Sequence, residues 1–395
     1  MPKERAFKYS NKILVINDFL EGGGAEIVFN HVCDILKSSG FRVTQYAGRN
    51  KITKQNSLFS YIFSFKNMSR LEHLLYKESY DMVYLMNYTY SLSPSILLAI
   101  NAYKKHNPNF RVIYNAHDFH LICPNSGLIY YKKKKIYKFQ FPVRISKFFW
   151  EKLDHRFGYS MLKKTQWLLA YKIFHLHNVI DLVLCPSIFL CERIREFYPN
   201  KKVLLLRNPV GNIPISVNVK SININHIIDF VFWGRLSVEK GLEEFILALK
   251  NVSFSYRFSI FGEGPEKENL QRLINENKLQ NRILLKGRLS WELMMQEVEK
   301  YDIYILSSLW YENAPLSIVE AAAKGLSIFT MEYGGMKELG DIVGNCYYMN
   351  AINANEIELL VQKYRKSTPS VSDLSEFSLE SFKHNLLKYV TINSE

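Results

Sequence analysis

Two carboxylates, Glu312 and Glu320, bracket the start of a short helix in Trp310-Tyr-Glu-Asn-Ala-Pro-Leu-Ser-Ile-Val-Glu-Ala-Ala-Ala-Lys-Gly325. Pro315 suits a first helical position because its fixed φ costs nothing there, and Gly325 suits the residue just past the last turn. The sequence therefore predicts a helix from Pro315 to Lys324. Its cap would fall on Ala314, which has no side-chain oxygen, so the N–H groups of Leu316 and Ser317 stay open to an anionic ligand. Glu320 lies among Ile318, Val319, Ala321 and Ala322, where an ionised carboxylate needs hydrogen-bond donors. The vicinal hydroxyls of a ribose would serve. Glu312 and Asn313 precede the helix on a loop, from which side chains can reach into a cleft. A solvated helix face is the alternative reading of the pair.

Further candidate loops each follow an apolar run. In Asn17-Asp-Phe-Leu-Glu-Gly-Gly-Gly-Ala-Glu-Ile-Val-Phe-Asn-His31, Gly22, Gly23 and Gly24 precede a helix running to Lys37 and could present N–H groups to a phosphate. A plain flexible turn is the alternative, because the Gly-x-Gly-x-x-Gly spacing of a dinucleotide site is missing. Tyr114-Asn-Ala-His-Asp-Phe-His120 places His117, Asp118 and His120 just beyond a strand end, where an imidazole could bond a sugar hydroxyl or offset phosphate charge. Phe230-Val-Phe-Trp-Gly-Arg-Leu-Ser-Val-Glu-Lys-Gly-Leu242 brings Arg235 and Lys240 to one loop, a fork and a point charge that suit a diphosphate. Lys240 could instead pair with Glu239 or Glu243. Phe261-Gly-Glu-Gly-Pro265 and Gly287-Arg-Leu-Ser-Trp291 follow the next two runs, and the backbone around Arg288 could read a nucleobase edge or form an ordinary turn. No Asp-x-Asp occurs in the chain, so no metal and no other cofactor is expected on the leaving group.

Strands alternating with helix-sized spacers must position these loops. In the first half the runs are Lys12 to Asn17, Arg42 to Ala47, Met82 to Met86, Arg111 to Asn115, Leu182 to Cys185 and Val203 to Leu206. In the second they are Asp229 to Trp233, Tyr256 to Phe261, Arg282 to Lys286, Asp302 to Leu306, Ser327 to Thr330 and Cys346 to Met349. The polar, turn-rich stretch from Asn208 to His226 reads as a linker. The expected class is α/β, with two doubly wound domains facing across a cleft. They are residues 1–210, with an insert at about 130–170, and residues 211–373, followed by a helix at 374–395 that could pack back on the first domain.

The 395 residues carry a net charge of +14, and the first 215 hold all of the excess, with 32 Lys+Arg against 14 Asp+Glu. Lys132, Lys133, Lys134 and Lys135, interleaved with Tyr and followed by Phe148, Phe149 and Trp150, form the kind of surface an interfacial protein uses on anionic lipid. A merely solvated basic face is the alternative. No nucleic-acid signature is present, so no nucleic-acid partner is expected. The N-terminus lacks a secretory h-region and no run of eighteen uncharged apolar residues appears. The five cysteines are scattered without a Cys-x-x-Cys pair. These features predict a reduced cytoplasmic protein, peripheral on the inner membrane face.

Taken together, Gly23-Gly24-Ala25-Glu26, Trp233-Gly234-Arg235 with Glu239-Lys240-Gly241, Phe261-Gly262-Glu263-Gly264-Pro265 and the Glu312 to Glu320 spacing resemble the retaining glycosyltransferases of family 4. The resemblance covers nearly the whole chain and implies the GT-B architecture. It implies a nucleotide-linked sugar, UDP- or GDP-linked, as donor and a hydroxyl acceptor; the basic charge of the insert, not the motifs, points to an acceptor that is lipid-linked or a growing cell-surface polysaccharide such as O-antigen or capsule. Arg235 and Lys240 would bind the diphosphate, Glu320 the ribose, and Glu312 would lie by the donor sugar. The amides from Asn313 through Ala314, Pro315, Leu316 and Ser317 would hold sugar and phosphate, with Gly23 and Gly24 beneath the phosphates and His117 near the reaction centre. Two rivals stand beside this reading: a dinucleotide-dependent oxidoreductase, which the glycine spacing disfavours, and a catalytically inactive GT-B adaptor at the membrane.

Overall fold

The computed structural model describes residues 11–20, 24–49, 58–133, 135–211, 227–367 and 373–391. Gly22, Gly23 and Lys134 lie outside them. The chain packs as two units, one comprising Met1–Lys135, Phe139–Arg207 and Lys383–Glu395, the other Ile136–Lys138 and Asn208–Phe382. The sequence division at 210/211 compares with a structural division at 207/208, and residues 383–391 of the last helix, Leu379–Thr391, group with the first unit. There the Arg111 guanidinium donates to the carbonyls of Val390, at 2.8 Å, and Tyr389, and the Tyr389 hydroxyl donates to Leu205 O at 3.0 Å.

The first unit holds β1 (Lys12–Phe19), β2 (Arg42–Arg49), β3 (Met82–Leu85) and β4 (Arg111–Asn115). It continues through β5 (Ile129–Lys132), β7 (Leu182–Cys185) and β8 (Lys202–Leu205); between β5 and β7 in the chain lies β6 (Lys135–Lys138), whose residues 136–138 group with the second unit. The six-stranded parallel sheet of the first unit runs in the order β2-β1-β3-β4-β7-β8. The second unit holds β9 (Ile228–Trp233), β10 (Tyr256–Phe261), β11 (Ile283–Gly287), β12 (Ile303–Leu306), β13 (Ser327–Met331) and β14 (Cys346–Met349). Its parallel order is β11-β10-β9-β12-β13-β14. The twelve apolar runs are thus the twelve strands of two parallel sheets, with no end moved by more than two residues. Central parallel strands are covered on both faces, which is why β3, β7 and β12 are apolar along their length and wholly buried. In the second unit Phe230 anchors the core, its ring 5.9 Å from Phe245 and 6.1 Å from Phe329.

Each order reverses once, between β1 and β3 and between β9 and β12. Sequence-adjacent connections leave on opposite faces at such a point, so the loops beyond the carboxyl ends splay apart and open a crevice. The residues at issue in the second unit follow β9 and β12.

The lysine-rich stretch holds a feature absent from the sequence reading. β5 and β6 pair across a turn in which Lys133 has φ 47°. Lys132, Lys133 and Lys135 are exposed there. The aromatic half of the expected membrane surface needs one correction. Phe148 is fully buried, its ring 5.1 Å from Phe139 and 5.7 Å from Trp167. It anchors the short helix Ile145–Trp150 to the helix Phe157–Leu168, because successive residues of a helix are about 100° apart and only one face of it turns inward. Phe149 is half-exposed and Trp150 is 88% exposed. Among the described residues, no helix is long and apolar enough to cross a membrane.

Candidate functional site

The helix of the Glu312–Glu320 stretch runs Leu316–Ala323, one residue shorter at each end than predicted. Pro315, not Ala314, is the cap, because ψ 97° leaves it extended and only Leu316 begins the helical turns. The consequence for a ligand is unchanged: a proline cap has no side-chain oxygen for the first N–H groups. Leu326 N donates to Ala321 O at 3.0 Å around Gly325, whose φ of 73° closes the helix.

Glu312 is 9% exposed, yet its carboxyl is held below the ordinary carboxylate range. Burial alone would raise it, but the Lys240 ammonium and the Ser308 hydroxyl, both 2.6 Å from Oε1, outweigh burial. Lys240 therefore pairs with Glu312 rather than with Glu239, which accepts from Ser237 Oγ at 2.7 Å. This pairing depends on two loops fitting closely. Leu309 N donates to Glu239 O at 2.8 Å, and Ser307 Oγ donates to the carbonyls of Lys240 and Gly241. Gly241, at φ 66°, comes so near Ser307 that a Cβ there would lie 2.2 Å from its carbonyl oxygen.

Glu320 has found donors of another kind. The Trp233 indole N–H donates to Oε2 at 3.0 Å and that of Trp291 to Oε1 at 2.9 Å. Burial pushes the Glu320 carboxyl up, and the two indoles pull it back in part. Trp233 ends β9 and packs on Tyr304 with ring centroids 4.0 Å apart. Tyr304 in turn donates to Ser317 Oγ at 2.7 Å, so the helix start is tied to β12. Arg235 stands exposed after β9, and Arg288 stands exposed after β11. Backbone bonds hold these loops together: Gly234 N donates to Phe261 O at 3.0 Å and Gly262 N to Gly287 O at 2.8 Å. Asn313, Ala314 and Pro315 lie half-buried between the two carboxylates, and Gly335 N donates to Glu312 O at 2.8 Å.

In the first unit, Gly24 opens the helix Gly24–Ser38 after β1. His117 and Asp118 follow β4. Burial pushes the His117 imidazole down to about 4, so the ring is neutral at pH 7, and its Nε2 has no hydrogen-bond partner. Asp118 is pushed up to about 6 by burial, against the N–H of His120 at 2.8 Å. His120 packs inward, 2% exposed, while Trp167 Nε1 donates to its carbonyl at 3.0 Å. At the β1/β3 reversal lies a residue the sequence reading passed over. Asp18 is buried and accepts the N–H groups of Tyr90, Ser91 and Leu92 at 2.7–2.9 Å. It thereby shapes the loop after β3. A charge closing an apolar strand at its carboxyl end was the available signal. Trp233 and Trp291 as partners of Glu320, and Ser308 as a partner of Glu312, left no comparable trace, because their meeting depends on strand order.

Residues 220–366 match the profile described as "Glycosyl transferases group 1". An uncharacterized 42.6 kDa protein in the cps region of Klebsiella pneumoniae is 24% identical over 311 residues, 76% of this chain and 72% of its own. Among solved structures, the fold is similar to that of the lipopolysaccharide outer core galactosyltransferase WaaB in its apo form. That match has TM-score 0.61, 16% identity and 96% of each chain covered. It is also similar to Anabaena Alr3699/HepE in complex with UDP-glucose, with TM-score 0.62, 14% identity, and 96% of this chain and 99% of that one covered. That profile lies inside the second unit and the two-sheet architecture is matched over nearly the whole length, so the chain has the GT-B fold and its second unit matches the group 1 glycosyltransferase profile.

Proposed function

We propose that the protein is a retaining glycosyltransferase. It moves a sugar from a UDP- or GDP-linked donor to a hydroxyl of a lipid-linked or growing cell-surface polysaccharide at the inner face of the cell membrane. The observation that carries this reading is the second unit's switch point. There a buried Lys240–Glu312 pair, a donor-held Glu320 and the unsatisfied N-terminus of the helix Leu316–Ala323 all follow β9 or β12. The HepE neighbour bound to UDP-glucose supports the choice of donor, and the Klebsiella relative in a cps region supports the choice of acceptor.

In this reading Glu320 accepts the ribose hydroxyls. The amides of Leu316 and Ser317 meet the diphosphate, Arg235 joins them from its exposed loop, and Arg288 lies by the base. Lys240 neutralises Glu312 in the empty site and turns part of its charge to the donor phosphate when that arrives, so Glu312 and Lys240 respond together. The bond between the anomeric carbon and phosphate breaks, and the nucleoside diphosphate leaves with the electron pair. The acceptor oxygen bonds the anomeric carbon on the same face while its proton passes to the leaving phosphate oxygen. No carboxylate is assigned as nucleophile. Helix N-terminus, Arg235 and Lys240 stabilise the departing charge, so we propose that no metal is required. Neutral His117, with its free Nε2, bonds a sugar hydroxyl.

Under this division Glu312 governs turnover and Glu320 nucleotide affinity. Incubating the full chain with UDP- and GDP-sugars and a hydroxyl acceptor, and reading the product's anomeric configuration by NMR, tests the reaction. Retention is expected. Inversion would overturn the mechanism, and silence across the donor panel would mark an inactive scaffold. For the membrane partner, salt-sensitive binding to anionic vesicles should disappear when Lys132 to Lys135 are neutralised, and undiminished binding would refute it.

A further inference from the structure

Both oxygens of the Glu320 carboxylate are held by ring donors. Trp291 Nε1 lies 2.9 Å from Oε1 and Trp233 Nε1 3.0 Å from Oε2. Neither indole is loose. Trp233 packs on Tyr304, and the Trp291 ring lies so close to Gly211 that a Cβ there would come within 2.8 Å of it. A carboxylate oxygen has two acceptor positions, so each Glu320 oxygen keeps one after accepting from its indole. Glu320 is half-buried rather than fully buried. Two acceptor positions on neighbouring oxygens of a fixed carboxylate match two donors on neighbouring carbons.

We infer that Trp233 and Trp291 are positioning residues that make Glu320 select a ribonucleotide over its 2′-deoxy counterpart. The inference rests on Glu320 being the ribose-binding group. A carboxylate free to rotate could turn both oxygens toward a single remaining hydroxyl and lose little. A carboxylate clamped through both oxygens cannot turn, so a missing 2′-hydroxyl leaves the second acceptor position of one charged oxygen unfilled. Discrimination of about tenfold to a hundredfold is expected from such a loss.

The test titrates the full-length wild-type protein, Trp233→Phe, Trp291→Phe and Glu320→Gln with UDP, GDP and their 2′-deoxy forms. Binding is followed by calorimetry, and a melting curve for each variant checks that it folds. Phenylalanine keeps a six-membered aromatic ring but removes the N–H together with the five-membered ring, so lost packing shows in the melting curve and in both nucleotides alike, and the lost N–H in the ribonucleotide preference. The wild type is expected to prefer the ribonucleotide at least tenfold, and each Trp→Phe variant to bring the preference below about threefold while leaving deoxynucleotide affinity nearly unchanged. Equal losses for both nucleotides in both variants would overturn the inference, since that pattern marks a stacking or purely structural role. A wild type without preference would overturn it too. Absence of saturable binding, or wild-type affinity for the ribonucleotide in Glu320→Gln, would instead remove the reading on which it rests.

Discussion

Removing the ammonium from the Lys240–Glu312 pair by Lys240→Met leaves a carboxylate that is 9% exposed with the Ser308 hydroxyl beside it and no cation. Breaking a buried pair by deleting one partner costs about 3–5 kcal/mol. Since Ser308 still donates, the lower end applies, about 3 kcal/mol, which in a unit of this size lowers Tm by about 6–12 °C. The double variant Lys240→Met/Glu312→Gln removes the stranded charge and should recover all but about 1 kcal/mol of the loss, because a neutral amide still accepts from Ser308. The pH dependence gives an independent check. Wild-type Glu312 has its carboxyl held below the ordinary value, so the stability it contributes is present above the unfolded value and lost as pH falls through the folded one. Without Lys240, burial is left to raise that carboxyl above the unfolded value, so the sign reverses and moving from pH 7 toward 5 narrows the gap to wild type. Scanning calorimetry of wild type, Lys240→Met, Glu312→Gln and the double variant at both pH values decides it. Additive losses in the double variant, or a gap that does not narrow with acid, would refute the coupling.

Other outcomes are accessible to simple measurements. Phe148→Ala should cost about 3–5 kcal/mol in denaturant unfolding, whereas Trp150→Ala should leave stability within about 0.5 kcal/mol and weaken anionic-vesicle binding. Asp18→Ala strands three backbone N–H groups that it now receives, so a Tm drop corresponding to about 2–4 kcal/mol is expected, with Asp18→Asn losing less. His117 has its folded value lowered from the ordinary 6.5 to about 4, so the unfolded chain takes up a proton that the folded chain refuses as pH falls through that window. His117→Gln should therefore keep more of its pH 7 Tm at pH 5 than wild type. Asp118, raised to about 6, works in the opposite sense but is present in both proteins and drops out of the difference.

The parallel strands were legible because burial on both faces writes a continuous apolar run, as in Met82–Leu85 and Ile303–Leu306. Glu312, Glu320 and Lys240 were legible as chemistry because polar groups cluster where such runs end. Their partners were not. Lys240 and Glu312 are 72 positions apart and Trp233 and Glu320 are 87 apart, and only the β9–β12 adjacency brings each pair within bonding distance. The β5–β6 hairpin was hidden under its lysines, whose charge reads as surface and masks the alternation of Ile129 and Tyr131. Phe148 and Trp150 show the same limit at short range: two residues of one aromatic run part company because one faces Trp167 and the other faces outward.

The grouping of residues 383–391 with the first unit bears on how the chain assembles during synthesis. Arg111 reaches the carbonyls of Tyr389 and Val390, and Leu205 receives the Tyr389 hydroxyl, so the N-terminal unit lacks these partners until the second unit has been translated. Domains ordinarily fold in order of emergence. Here the half made first is finished last, and a nascent chain halted anywhere before Tyr389 would carry an N-terminal unit with the Arg111 guanidinium still waiting for its acceptors.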